Sequence, residues 1–435
     1  MKWMISILCL FLFFTDHASS QVSFPLQISS NRRYLEDQNH IPFLYHADTG
    51  WALYFALTKD EIKEYIQARK NQGFNVIQTI LMLPDRENRD GVKPFRDNDD
   101  FSTLNEAYFD FVEWVLAYAE KENMLMGIVP MWVSCCKDAW GWENRPMQNN
   151  GVVKVTRFGK YIGKKYAHHK NIIWILGGDN DPLINREELN ALAIAIKQQA
   201  PHQLQTYHAA STHSSLDVWD NATWLDFSMV YTYFRGFNKA WTKDQFEVYE
   251  VSKKEYLRNK MPFILGESTY EGEHGDWGSA LQVRKQAWWS LLSGSCGHAY
   301  GSRNWAFPEN WREILKYPGA ASLKYLYTFF TALEWTLLEP DFNHKLIENG
   351  AGTYTSNDWV TTSISQDKNF SVSYIPSKRT INVNLKSLAG KYFKLSWFNP
   401  RSGEYISIRK SINNEVVILD TPDSKDWVLF IQAIT

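Results

Sequence analysis

The chain predicts a (β/α)8 TIM barrel followed by an antiparallel β-sandwich. Between residues 42 and 334, eight strand-then-helix units follow one another, the count and size of such a barrel. Two apolar runs end abruptly in glycine and a carboxylate: Ile172 to Leu176 leads into Gly177-Gly178-Asp179, and Pro262 to Leu265 into Gly266-Glu267. In parallel α/β folds, ligands meet the carboxyl ends of strands. After Leu338-Glu339-Pro340 helical periodicity disappears, and short alternating runs are separated by turn residues. Residues 21–340 are therefore read as the barrel with an N-terminal β-hairpin, and 341–435 as the sandwich. A doubly wound open sheet is the alternative. The count of eight and the lack of a Gly-x-Gly-x-x-Gly turn after the first strand weigh against it.

Taken in order, Leu26 to Ser29 and Arg33 to Glu36 flank Ser30-Asn31-Arg32 as a hairpin. Pro42 to Asp48 reads as a strand ending in an acid. Thr58, with Glu61 three residues on, has the pattern of a helix capping box, and that helix ends at Gly73. The strand Asn75 to Leu81 follows. A helix from Asn105 to Asn123 carries Tyr108, Val112, Val115, Leu116 and Ala119 on one face. Strand Leu125 to Trp132, a Trp-rich loop and a helix from Val155 to His169 lead to the strand before Asp179. A helix from Arg186 to Ala200 precedes strand Gln203 to His208. A loop holding Trp219 and Trp224 precedes strand Phe227 to Tyr233. Helices near Asp244 to Asn259, Ala280 to Ser293 and Ala320 to Glu334 alternate with the Glu267 strand and with Gly297 to Gly301. In the tail, Thr380 to Leu385, Tyr392 to Phe398, Tyr405 to Ile408 and Trp427 to Ile431 read as strands.

Residues 1–20 have the pattern of a secretory signal peptide. Lys2 supplies the positive end, Trp3 to Phe14 is mostly apolar, and Ala18-Ser19-Ser20 supplies small residues before Gln21. The apolar run is too short to span a bilayer. The mature protein is expected to be exported, periplasmic, cell-surface or secreted, with no membrane span. Cys9 lies inside the apolar run. The remaining Cys135, Cys136 and Cys296 cannot build a disulfide framework, and they read as small packed thiols near strand ends.

A net charge of −2 leaves no basic footprint for nucleic acid. The 19 Trp, 22 Tyr and 25 Phe are an unusual aromatic content: many build the core, the alternative reading for any single Trp, and a surplus in loops would suit a carbohydrate, whose C–H faces stack on flat rings. A monomer is expected, with an oligosaccharide or polysaccharide as its partner.

The strand ends offer Asp48, Gln78, Trp132, Asp179, His208, Tyr231, Glu267, His298 and Tyr300, with Trp51 close to Asp48. This set lacks the His-Glu-x-x-His and Cys-x-x-Cys patterns of metal sites, so no metal or cofactor is expected. It also lacks a nucleophile elbow and a phosphate loop. Hydrolysis by paired carboxylates is the chemistry the set supports. Asp179 follows the fourth strand and Glu267 the seventh, on opposite sides of a barrel mouth. Asp179 is assigned as general acid/base, with Asp181 raising its pKa by like charge; the alternative is a turn cap. Glu267 is assigned as nucleophile, with Glu271 as its rival. Asp48, Trp51, Gln78, Trp132, His208, Tyr231, His298 and Tyr300 are the substrate-binding candidates. Tyr300 either hydrogen-bonds the nucleophile or packs, and each His is either a hydroxyl partner or a buried core residue. Trp140, Trp142, Trp277 and Trp305 are loop candidates for stacking a sugar. Carboxylate separation would decide stereochemistry: roughly 5–5.5 Å for retention, roughly 6.5–9.5 Å for inversion.

Phe43-Leu44-Tyr45-His46-Ala47-Asp48-Thr49-Gly50-Trp51, Gly73-Phe74-Asn75-Val76-Ile77-Gln78, Trp174 to Asp179, Gly266 to Gly272 and Gly297 to Gly301 resemble the apiosidase-like glycoside hydrolases, glycoside hydrolase family 140. Trp397 to Glu404 resembles the β-domain that accompanies them, which once carried a collagen-binding name. The resemblance covers nearly all of the mature chain. It implies a (β/α)8 barrel with a C-terminal β domain. It places the acid/base on Asp179 and the nucleophile on Glu267, and it implies activity on apiose linkages in pectic side chains. The chain departs from the family pattern at Tyr231-Thr232-Tyr233, where a smaller, amide-containing segment is usual. The alternative function is a non-catalytic carbohydrate-binding protein on the same scaffold, which retention of both carboxylates opposes. A peptidase or collagen-binding role has only the tail's old name behind it, and no protease pattern is present.

Overall fold

The computed structural model describes residues 21–434 except 98, 134–143, 183, 234–247 and 413–415. Residues 1–20, expected to be a signal peptide, and Cys135, Cys136, Trp140 and Trp142 lie outside the described residues.

Eight strands, each buried along its whole length, form one parallel sheet. They are β1 (Tyr45–Thr49), β2 (Val76–Ile80), β3 (Leu125–Val129), β4 (Ile172–Gly177), β5 (Gln205–His208), β6 (Ser228–Thr232), β7 (Phe263–Ser268) and β8 (Gly297–Tyr300). Burial on both faces is why they read as near-continuous apolar runs. The sheet order β5-β4-β3-β2-β1-β8-β7-β6 wraps around so that β5 and β6 meet at a seam. The helices between them are α1 (Lys59–Asn71), α2 (Glu106–Lys121), α3 (Asn144–Tyr166), α4 (Arg186–Gln199), α5 (Ser215–Trp219), α6 (Val248–Arg258) and α7 (Ala280–Leu291), and α8 (Pro318–Thr331) follows β8. The Thr58–Glu61 capping box forms with both of its hydrogen bonds.

Two elements differ from expectation. The Trp219 segment is the short helix α5, opened by a Ser214–Asp217 capping box, rather than a loop. It has a task at the seam. Ser215 Oγ donates to Tyr207 O at 2.7 Å and accepts from Met229 N at 2.8 Å, and Thr206 Oγ1 donates to Phe227 O at 2.8 Å. Side chains thus satisfy backbone groups that a β5–β6 ladder would otherwise pair. Helix α3 begins earlier than its apolar period suggests, with a break at Gly151.

The N-terminal strands Gln27–Ile28, Leu35–Glu36 and Pro42–Phe43 form a small antiparallel sheet. Its Leu26, Leu35 and Phe43 pack with Tyr45, Val76 and Leu125 at the strand starts and close that end of the barrel. Cys296 is buried there, its Sγ donating to Phe263 O at 3.2 Å.

The C-terminal region is a six-stranded antiparallel sheet facing a three-stranded one. Ile347, Ile381, Val383, Val417 and Leu419 of the smaller sheet share a core with Phe393, Leu395, Trp397, Leu429 and Ile431 of the larger. This is sandwich packing. Leu338–Pro340 already pairs with Thr361–Ser365, so the C-terminal sheet begins ahead of the expected boundary at 341.

Helix α7 is buried from Gln282 to Leu291, because barrel and sandwich each cover one face of it. Trp288 stacks on Tyr374 at 5.7 Å. Arg284 holds Asp426 through two hydrogen bonds of 2.9 Å, and Asp426 also accepts from Arg401 at 3.1 Å. Removing one partner of a buried pair strands a charge. Asp426→Ala is expected to cost about 3–5 kcal/mol, read as a lower midpoint in thermal unfolding. Arg284→Met should cost less, because Arg401 still pairs with Asp426. Equal midpoints for Asp426→Ala and wild type would refute this role.

Candidate active site

The sequence places two carboxylates at the barrel mouth by two backbone devices. After β4, three successive residues take positive φ: Gly177 at 87°, Gly178 at 130° and Asp179 at 52°. The first two conformations favour glycine, and the third is costly for any other residue type except Asn or Asp. A Cβ on Gly178 would sit 2.5 Å from the Trp132 ring, so glycine also lets that indole lie against the backbone. In β7 the register against β6 slips between Leu265 and Glu267, leaving Gly266 as a bulge. A side chain on Gly266 would collide with Met229. Bulges re-aim side chains beside active sites, and here the bulge turns Glu267 into the mouth.

A cavity of about 890 Å³ opens above them. Asp179 and Glu267 share its lining with Trp51, Trp132, Tyr231 and Trp305. One oxygen of Asp179, one of Glu267 and a ring nitrogen of His208 lie within 4.8 Å of one another. Glu267 is held on both oxygens. His208 Nε2 donates to Oε2 at 2.5 Å, and Tyr270 OH donates to Oε1. Tyr270 OH in turn accepts from Trp51 Nε1 at 2.6 Å. His208 Nδ1 faces the Asp179 amide at 3.1 Å and Ala209 O at 3.2 Å. In the neutral tautomer that accepts from the amide, and equally in the cation, Nε2 carries the proton offered to Glu267. Burial lowers the His208 pKa, but the hydrogen bond to Glu267 and the two carboxylate charges outweigh it and leave it raised.

Asp179 is only partly exposed, and among the described residues one of its oxygens has no hydrogen-bond partner. Its pKa is pushed up to about 7, first by burial and then by the Glu267 charge, while His208 and Tyr231 pull the other way. Asp181 is not among the causes. It is paired with His213 Nδ1 at 2.7 Å and accepts from Ala210 N, which corrects the expected like-charge role.

Of the expected substrate-binding residues, Trp51, Trp132 and Tyr231 line the cavity, and His208 lies just beneath it against Glu267. Four others lie deeper, engaged with protein. Asp48 is fully buried, bonded to Arg69 Nε at 2.6 Å and to Tyr65 OH. Gln78 Nε2 donates to Gly266 O at 3.0 Å. His298 Nε2 meets His46 Nδ1 at 2.9 Å, and burial drives the His298 pKa down to about 3. Tyr300 donates to Glu271 at 2.7 Å and not to Glu267. Glu271, the rival nucleophile, accepts from Gly319 N at 2.8 Å and Ala320 N at 3.3 Å, and so caps the start of α8. Trp277 is exposed and does not line the cavity.

The lining also includes Tyr233, named only within the Tyr231-Thr232-Tyr233 segment, and Tyr270, Glu273 and Arg303, which were not site candidates. Tyr233 OH and Trp305 Nε1 both donate to Glu273, at 2.7 and 2.8 Å. Tyr270 had a signal, three residues after Glu267 in the same motif. Tyr233 directly follows β6, in the segment that departs from the family pattern, while Glu273 and Arg303 had no signal because loops bring them in.

The Asp179–His208–Glu267 group is built as hydrogen-bonded partners. Two ligands of one tetrahedral zinc stay about 3.3 Å apart, and His208 and Glu267 are closer than that. A second compact group, Glu113 with His168 and His169, lies outside the cavity lining.

Residues 29–337 match the family model described as "Apiosidase-like, catalytic domain". The chain belongs to this family. Residues 343–432 match the model described as "Putative collagen-binding domain of a collagenase". The apiosidase-like chain is similar to a solved structure titled glycoside hydrolase, at 24% identity and TM-score 0.83, covering 94% of this chain and 97% of that one. It is also similar to a glycoside hydrolase family 5 protein from Bacteroides vulgatus, at 22% identity and TM-score 0.85, covering 94% and 93%. At these identities the likeness is one of fold. No curated protein matches the sequence. Family and barrel together place this apiosidase-like protein among the glycoside hydrolases, with a carbohydrate as substrate. Among the described residues, no helix is long and apolar enough to cross a membrane.

Proposed function

We propose that this protein is an exported, retaining glycoside hydrolase that cleaves apiose linkages in pectic side chains. The observation that carries the catalytic reading is the pair Asp179 and Glu267, with oxygens within 4.8 Å at the floor of an aromatic cavity. That spacing suits direct attack by one carboxylate. Inversion needs roughly 6.5–9.5 Å to seat a water between carboxylate and sugar. In this reading Glu267, its lone pairs oriented by His208 and Tyr270, attacks the anomeric carbon. Asp179, protonated near neutral pH, gives its proton to the departing oxygen. Asp179 then takes a proton from the water that hydrolyses the glycosyl–Glu267 ester. Trp51, Trp132 and Trp305 supply flat faces for the sugar. The family description supports the apiose linkage, and the pattern of residues 1–20 supports export.

The test is incubation of the mature chain with pectic and hemicellulosic oligosaccharides, with released sugars identified by chromatography. Release of apiose with retained anomeric configuration is expected. Release of a different sugar would overturn the substrate reading and leave the chemistry standing. Binding without any release would establish the non-catalytic alternative.

A further inference from the structure

A second cavity, of about 240 Å³, lies between barrel and sandwich and shares no residue with the catalytic one. Helix α6 contributes Tyr249 and Lys253. The loops on either side of Ile347–Asn349 contribute Phe342, His344, Tyr354 and Trp359. The rings form an open corner. Tyr354 meets Trp359 edge to face at 5.1 Å, Tyr249 lies 6.2 Å from Trp359, and Tyr354 is 41% exposed. Polar groups sit within this corner. Lys253 Nζ lies 5.1 Å from the Phe342 ring centre and 5.5 Å from that of Tyr354. Among the described residues its ammonium makes no ion pair, although aromatic rings have displaced part of its water. His344 Nδ1 is buried and, among the described residues, has no hydrogen-bond partner. Asp341, also on the wall, accepts from Leu346 N at 2.9 Å.

Flat rings meeting at a corner, with a cation, a carboxylate and an imidazole at the edges, match the two faces of a sugar: apolar C–H on one side, oxygens around the rim. The volume falls below the roughly 300–1,000 Å³ of ordinary small-molecule sites, so one sugar unit fits rather than a chain segment. Among the described residues Asp341 is the only carboxylate on the wall, and they form no acid–nucleophile pair there. We propose that this interdomain cavity is a non-catalytic binding site for a single sugar unit of the polysaccharide on which the enzyme acts. Lys253 reads an oxygen at the rim of that unit, a hydroxyl or a carboxylate. The choice of ligand class rests on the glycoside hydrolase reading. The site would hold the polymer near the barrel and raise its effective concentration at the mouth.

The test is affinity electrophoresis of the mature full-length chain carrying Glu267→Gln, through gels containing soluble pectic or hemicellulosic polysaccharide. The same protein carrying Lys253→Ala and Tyr354→Ala runs beside it. Both added positions are at least partly exposed, so the thermal midpoint should not move. Loss of the corner is expected to raise the apparent Kd for polymer about 10-fold. With Glu267 intact, the double variant should raise KM on polymer only, leaving kcat and the cleavage of a small soluble glycoside unchanged. Retardation that high salt abolishes on an acidic polymer assigns Lys253 to a carboxylate; retardation on a neutral polymer that survives salt assigns it to hydroxyls. Equal retardation of parent and double variant, or no retardation of the parent in any gel, would overturn the proposal. Retardation lost as expected in a chain that releases no sugar would uphold this site and defeat the catalytic reading instead.

Discussion

Glu267→Gln is expected to lower kcat on the order of 10⁴-fold or more, the scale seen when a nucleophile is removed from an otherwise intact site. The amide keeps the shape of the carboxylate but lacks the charge that attacks the anomeric carbon. It also cannot satisfy both neighbours as before, because His208 and Tyr270 each present a proton to a carboxylate oxygen. Glu267→Ala leaves room on the same side of the sugar. Added azide should enter there and attack a substrate with a good leaving group. The product would be a glycosyl azide of inverted configuration, identified by NMR. Activity of Glu267→Gln within 10-fold of wild type would sink the assignment. An inverted azide formed by an Asp179 variant instead would exchange the two roles.

Asp179→Asn is expected to slow the enzyme roughly 10²–10⁴-fold on substrates with poor leaving groups. It should do far less harm to activated aryl glycosides, whose leaving group needs no proton. The pH profile gives an independent readout. Burial, then the charge of Glu267, holds the Asp179 pKa at about 7, well above an ordinary aspartate. The acid must be protonated to work, so activity should be present below that value and fall as pH rises through it. The asparagine variant should lose this alkaline limb. Because part of the rise comes from Glu267, removing that charge in Glu267→Gln should lower the pH at which Asp179 titrates, measurable by carbon NMR of the labelled carboxyl group. The limb belongs to the pair, since the two carboxylates interact. An unchanged alkaline limb in Asp179→Asn would mean that another group donates the proton.

The sequence by itself determined the barrel, the sandwich and the positions of the two central carboxylates. Those signals are local. A strand buried on both faces must be apolar throughout, so β4 and β7 were visible as runs, and what ended each run was visible too. The Thr58–Glu61 box was legible because its hydrogen bonds close within three residues. Only the tertiary structure decided which polar strand-end residues face the cavity. Asp48 and Asp179 carry the same chemistry at the ends of parallel strands. Yet Asp48 is claimed by Arg69 and Tyr65 from α1, whereas Asp179 is lifted into the mouth by three positive φ angles in a row. His298 and Tyr300 were likewise taken by His46 and Glu271. Each outcome depends on a partner from another element: a helix for Asp48, the neighbouring strand β1 for His298, and the loop after β7 for Tyr300. A buried polar group must find such a partner wherever packing supplies one, and one strand's pattern does not reveal which element will bring it. The bulge at Gly266 was hidden for a related reason. It is defined by register against β6, a relation between two strands that neither strand encodes alone.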